Sequence, residues 1–140
     1  MRLLVFPVIL FLISCGTKKT DFASNQINDE ETFDDFFNKF RSDSIFQIER
    51  VKFPLALVTW NIGDNLMTDN IDRDDWRHLR LEYKNEFATR EIDAYTQETK
   101  IYTDSATIQL RGVDNGIHLD YVFNKINGKW ILIIERDYSN

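Results

Sequence analysis

The chain has 140 residues, with 17 Lys and Arg against 23 Asp and Glu, a net charge of −6 at pH 7. That acidic balance repels phosphate backbones and anionic headgroups, which argues against nucleic acid as a partner. A single cysteine rules out an intramolecular disulfide and a thiolate metal cluster, and the length suits one domain with a real core.

Met1 and Arg2 precede an apolar run from Leu3 to Ile13, the pattern of a charged n-region followed by a short h-region. At about 1.5 Å per residue this run falls well short of a bilayer core of roughly 30 Å, so it reads as an export signal rather than a permanent span. Leu12, Ile13, Ser14 and Cys15 follow the bacterial lipobox pattern: an aliphatic residue, two compact ones, then cysteine. Residues 1–14 are therefore expected to be a lipoprotein signal peptide and Cys15 the lipidated residue, anchoring the chain to the membrane. Gly16 stands where an Asp would resemble an inner-membrane retention signal, which favours the outer membrane. Removing residues 1–14 also removes one cation, Arg2, and leaves the mature chain more acidic.

Residues 15–27 are mostly small and polar without apolar periodicity, as expected of a flexible tether, and residues 28–140 should form a single α+β domain. Phe33, Phe36, Phe37 and Phe40 recur at i, i+3, i+4 and i+7, which predicts a helix over 28–41 with one apolar face. Asn28 and Glu31 have the spacing of a capping box. Residues 46–53 and 55–60 are rich in β-branched and aromatic residues and suggest strand segments interrupted by Pro54. A helix over 43–52 is the alternative, because Ile45, Ile48 and Val51 recur every three residues. Asn61, Gly63, Asp64 and Asn65 form a turn-rich loop. A second short helix is expected at 73–81, capped by Asp72, with Ile71 and Trp76 as a hydrophobic staple. Leu81, Tyr83 and Phe87 alternate with charged residues like a half-buried strand, and 92–103 suggests another.

Asn115-Gly116 and Asn127-Gly128 are both two-residue hairpin signals, predicting antiparallel strands at 106–114, 117–126 and 129–137. In that register Leu110 lies opposite Tyr121, Ile108 opposite Phe123, Phe123 opposite Leu132 and Tyr121 opposite Ile134. The inward positions Leu119, Tyr121, Phe123, Leu132 and Ile134 are then all apolar or aromatic, while Val122, Ile131 and Ile133 lie on the outer face.

The sites that suggest chemistry each have a plainer explanation. His118 and Asp120 share a strand face, as an acid–base pair would, but that face is the outer one and Arg111 lies across from Asp120, which makes an ion pair sufficient. Asp69, Asp72, Asp74 and Asp75 offer oxygen ligands for calcium. They lack the glycine and distal glutamate of an EF-hand loop, and helix capping accounts for most of them. His78, near the end of the second predicted helix, has no second histidine at i±4 to complete a metal pair. No catalytic, cofactor-binding or metal-ligating residue is assigned.

The phenylalanine-rich segment Phe33–Leu55, the run Asp75-Trp76-Arg77-His78-Leu79 and the hairpin from Tyr121 to Leu132 resemble an uncharacterised lipoprotein family, domain of unknown function 4348. The hairpin is also similar to that of nuclear transport factor 2-like (cystatin-like) domains. The resemblance implies N-terminal helices packed on a curved antiparallel sheet in the form of a cone. It brings no established catalytic residues. The expected function is thus a non-enzymatic, membrane-anchored module binding a protein or a small apolar ligand, with no cofactor. The alternative is a small hydrolase or isomerase working in the cone, for which Tyr95, Tyr102 and His118 are the candidates.

Overall fold

The computed structural model describes residues 30–61, 63, 65–81 and 94–140. Two short helices, α1 (Phe33–Ser42) and α2 (Ser44–Glu49), lead into β1 (Val51–Trp60) and β2 (Leu66–Ile71). A single 3-10 turn at Arg73–Asp75 follows, then β3 (Tyr95–Ile101), β4 (Ser105–Gly112), β5 (His118–Ile126) and β6 (Lys129–Asp137). The strands form one sheet in the order β2-β1-β6-β5-β4-β3. Among the described residues no helix is long and apolar enough to cross a membrane.

The expected antiparallel cone is not what forms. β1 runs parallel to β6 while every other neighbouring pair is antiparallel, so the sheet is mixed. It ends in two unjoined edges, β2 and β3, and is neither closed nor strongly curled. The physical reason for the error is that alternation of apolar residues reports which face a side chain takes, and is silent on strand direction and closure.

Helix α1 forms as the phenylalanine spacing predicts. Phe33, Phe36 and Phe40 are buried, and all three rings meet Phe123 of β5 edge-on, with centroids 5.5, 5.6 and 5.3 Å away. Edge-to-face contacts of this kind add to the burial of each ring, which alone is worth about 1.5–3 kcal/mol. The cap is Thr32, whose Oγ1 accepts from the Asp35 N–H at 3.2 Å. Glu31 does other work, accepting from the Arg50 guanidinium at 2.8 Å and from the Trp130 N–H at 3.0 Å. It thereby ties the entry of α1 to α2 and β6.

Residues 46–49, expected in a strand, belong to α2 instead. Asp43 closes α1 through its own N–H to the Lys39 carbonyl and opens α2 through its carboxylate, which accepts from the Ile45 and Phe46 N–H groups. Such a cap favours helix over strand at the very residues where the apolar pattern was ambiguous. Pro54 lies inside β1 but between its ladders, since pairing with β6 breaks between Val51 and Ala56 and pairing with β2 begins at Leu55, so its missing N–H costs no ladder bond.

The second predicted helix stops after one turn. Asp72 makes no side-chain cap bond, and Trp76 is already extended. The cause is Gln47, fully buried on α2, whose Nε2 donates to the Phe40 carbonyl at 2.8 Å and to the Leu79 carbonyl at 2.9 Å, while its Oε1 accepts from the Leu79 N–H at 2.7 Å. The backbone groups of Leu79 that a helix would have used are satisfied by this amide instead.

Asn127 and Gly128 both have positive φ, 50° and 76°, and make the expected two-residue turn. The other hairpin differs. Gly112 and Ile117 close it by an N–H to carbonyl bond of 2.8 Å, leaving residues 113–116 as a four-residue loop. Ile108 therefore pairs with Tyr121 and Leu110 with Leu119, a shift of two residues that preserves the face of every side chain. Gly112 is required there, because a Cβ would lie 1.9 Å from the Asn115 Oδ1. The segments around Tyr83 and Phe87 lie outside the described residues.

Candidate functional site

Alternation along β6 is broken by a bulge. Phe123 pairs with Leu132 as expected, but Val122 pairs with Ile134 and Tyr121 with Glu135, so one extra residue, Ile133, has been inserted opposite β5. Ile134, expected inside, moves to the outer face beside Val122 and Ala56. Glu135 and Asp137 take the inner face instead, opposite Tyr121 and Leu119. A strand expected to be apolar on its inner side delivers two carboxyl groups there.

Glu135 lines a cleft of about 200 Å3 with Ile71, Asp75, Trp76, Arg77 and Leu79. Burial pushes the Glu135 carboxyl above its usual range, and the Asp137 charge pushes it further the same way. Burial also raises the Tyr121 hydroxyl, with the Glu135 and Asp137 charges and Tyr95 contributing after it. The far wall is the extended run after the 3-10 turn, held in place by the Gln47 amide at Leu79. Trp76 packs edge-on against Phe53 at 5.8 Å, and Phe53 in turn carries the Arg73 guanidinium at 5.7 Å. The Trp76 Nε1 is buried and has no hydrogen-bond partner among the described residues. A buried donor left unpaired costs about 1–3 kcal/mol, which makes this indole N–H a ready point of attachment for an acceptor.

The residues singled out by sequence are elsewhere. His118 and Asp120 stand on the outer face. The His118 ring meets Tyr138 edge-on at 5.4 Å, whereas Asp120, only 8% exposed, is held by Arg111 at 2.7 Å and Gln109 at 3.3 Å. The ion pair forms as expected, but diagonally, because the hairpin shift puts Gln109 directly opposite Asp120. Tyr102 is exposed at the end of β3, while Tyr95 sits on the inner face opposite Gly112. Asp69 accepts from the N–H of Asn70, His78 is exposed in an extended run, and no group of three His, Cys, Asp or Glu among the described residues could hold a metal. Cys15, with the signal peptide and tether, lies outside the described residues.

Glu135 and the Trp76 indole went unnoticed in the sequence. One trace of the bulge was present: Trp130, Ile131, Leu132, Ile133 and Ile134 are five apolar residues in succession, which a strand alternating between core and water does not need.

A model of the family described as domain of unknown function 4348 matches residues 18–137. The chain belongs to that family. No curated protein matches it. Among solved structures, this DUF4348 domain is similar to an NTF2-like protein from Bacteroides fragilis, at 23% identity and a TM-score of 0.58, covering 81% of this chain. It spans 49% of that structure's own length. A protein from Bacteroides uniformis gives 26% identity and a TM-score of 0.55, covering 79% of this chain and 78% of that one. A cystatin-like protein from Bacteroides caccae gives 21% and 0.54, with coverage of 79% and 76%. The DUF4348 domain thus shares the fold of NTF2-like and cystatin-like proteins, with an open mixed sheet.

Proposed function

We propose that this DUF4348 domain is a non-enzymatic binding module that takes a compact, mainly apolar ligand bearing one hydrogen-bond acceptor into the cleft between Trp76 and Glu135. The observation that carries the reading is the buried Trp76 Nε1, without a partner among the described residues, beside a carboxyl group that burial inclines toward its neutral, donating form. An acceptor placed there satisfies the indole, and the apolar side chains of Ile71 and Leu79 supply the contact area. A cleft of about 200 Å3 is smaller than the usual 300–1,000 Å3 of drug-sized sites, which limits the ligand to a fragment or to one side chain of a larger partner. The lipobox pattern at Leu12–Cys15 supports tethering of this module to the outer membrane through lipidated Cys15.

The test is a fragment titration of the full chain followed by NMR, using small aromatic and aliphatic amides and ketones as probes. Binding should shift the Trp76 Nε1–H resonance selectively among the three tryptophans, and Trp76→Phe should weaken binding about tenfold or more, the cost of one buried hydrogen bond. A library that leaves the Trp76 resonance unmoved overturns the reading.

A further inference from the structure

A second cleft, of about 540 Å3, opens on the other side of the sheet at the end of β1 and β6, lined by Trp60, Asn61, Tyr138, Ser139 and Asn140. Its volume falls within the usual range for small-ligand sites. Three features of it point the same way. First, its rings are displayed rather than packed away: Trp60 is 50% exposed and meets Tyr138 in a tilted contact at 5.5 Å, making a bent aromatic wall. Second, all five lining side chains are uncharged, in a chain of which 29% is charged. Those side chains offer no counter-ion for a phosphate. Third, its polar groups are fixed but uncommitted. The Asn61 Oδ1 accepts from the N–H groups of Gly63 and Asn65, at 2.8 and 3.0 Å, which pins the side chain while its Nδ2 donates to no described residue. The Ser139 Oγ accepts from the His118 N–H at 3.1 Å and keeps its own proton to give.

We infer that this cleft is a binding site for a neutral oligosaccharide. The C–H face of a sugar ring carries slight positive charge and stacks on the electron-rich faces of Trp60 and Tyr138, while its hydroxyls accept from Asn61 and Ser139. An anionic ligand would leave its charge unpaired against these side chains, and a purely apolar one would leave the fixed Asn61 amide unsatisfied.

The experiment is a titration of the full chain with chitotriose, maltotriose and cellotriose, read by tryptophan fluorescence and by NMR shifts. At least one should give a saturable change centred on Trp60, with Trp60→Ala weakening it about tenfold, as expected for the loss of one ring contact. Asn61→Asp retains an Oδ1 to hold the loop and replaces the donor with a charged acceptor, so it should weaken binding with the loop resonances in place. No saturable response to any of the three up to about 10 mM, beyond which binding is too weak to be specific, overturns the inference. So does binding that both variants retain at full strength, and so does a Trp60 signal that tracks protein concentration alone, which would mark contact between copies of the chain.

Discussion

Glu135 and Glu31 are both carboxyl groups partly withdrawn from water, yet their surroundings move them in opposite directions. For Glu31, burial alone would raise the pKa, but the Arg50 hydrogen bond, the Trp130 N–H and the charges of Arg50 and Lys129 outweigh it and hold the group below its usual 4.5. Its contribution to stability is present above pH 4.5 and is lost as pH falls through the lowered value. Glu135 has no such partner among the described residues, and its raised pKa means that the folded state holds the proton more tightly than the unfolded chain. The stability linked to that proton is fully present below 4.5 and is lost as pH rises through the raised value. Urea unfolding across pH 4–8 should therefore show Glu135→Gln gaining on the wild type as pH rises, and Glu31→Gln losing most at neutral pH with the deficit shrinking in acid. A difference between wild type and Glu135→Gln that stays constant with pH would mean that the carboxyl is solvated after all.

At the scale of the elements, the cleft depends on a clamp that joins α2 to a segment 32 residues away. Replacing Gln47 by Leu leaves the Phe40 carbonyl and both backbone groups of Leu79 without their partner, which should cost about 2–4 kcal/mol and release the Trp76 wall. Protection of the Leu79 amide from hydrogen exchange should fall with it. If that amide remains as protected as before, the wall has another support. The centre of the core responds differently: Phe123→Ala removes the ring on which three phenylalanines of α1 converge, and a loss of about 3–5 kcal/mol is expected from thermal or urea unfolding. These two cases show what the sequence disclosed and what it hid. The phenylalanine stripe of α1 and the Asn127-Gly128 turn are local periodic or dipeptide signals, so they were legible. The truncation of the helix expected at 73–81 was not, because it is imposed by an amide elsewhere in the chain that competes for the same backbone groups. The two carboxyl groups at the inner face were hidden for a different reason: inserting one residue inverts every face assignment that follows it.

For the molecule as a whole, the sequence placed the helix-on-sheet layering correctly and mistook its closure. Among the described residues six strands with edges at β2 and β3 leave both faces of the sheet accessible at the β1–β6 end, and that is where both clefts are found, one on each side. The tether read from residues 15–27 would hold this two-sided domain near a bilayer. Cys15→Ser should move the chain from the membrane fraction to the soluble one and abolish incorporation of labelled fatty acid. Continued membrane recovery with label would rule out that cysteine as the anchor.

The extra residue in β6 also sets how the strand tolerates change. Up to Leu132 the core is reached by even-numbered positions, Trp130 and Leu132, and past Ile133 by odd-numbered ones, Glu135 and Asp137. Deleting Ile133 would thus shorten the strand without reversing any face. It would join Leu132 directly to Ile134, leaving Ile134 opposite Val122 on the outer face and Glu135 and Asp137 opposite Tyr121 and Leu119 on the inner one, so that only the bulge is lost. The same residues paired without a bulge would instead put Ile134 opposite Tyr121 and turn both acids outward, so the bulge, and not the length of the strand, makes the interior cleft acidic.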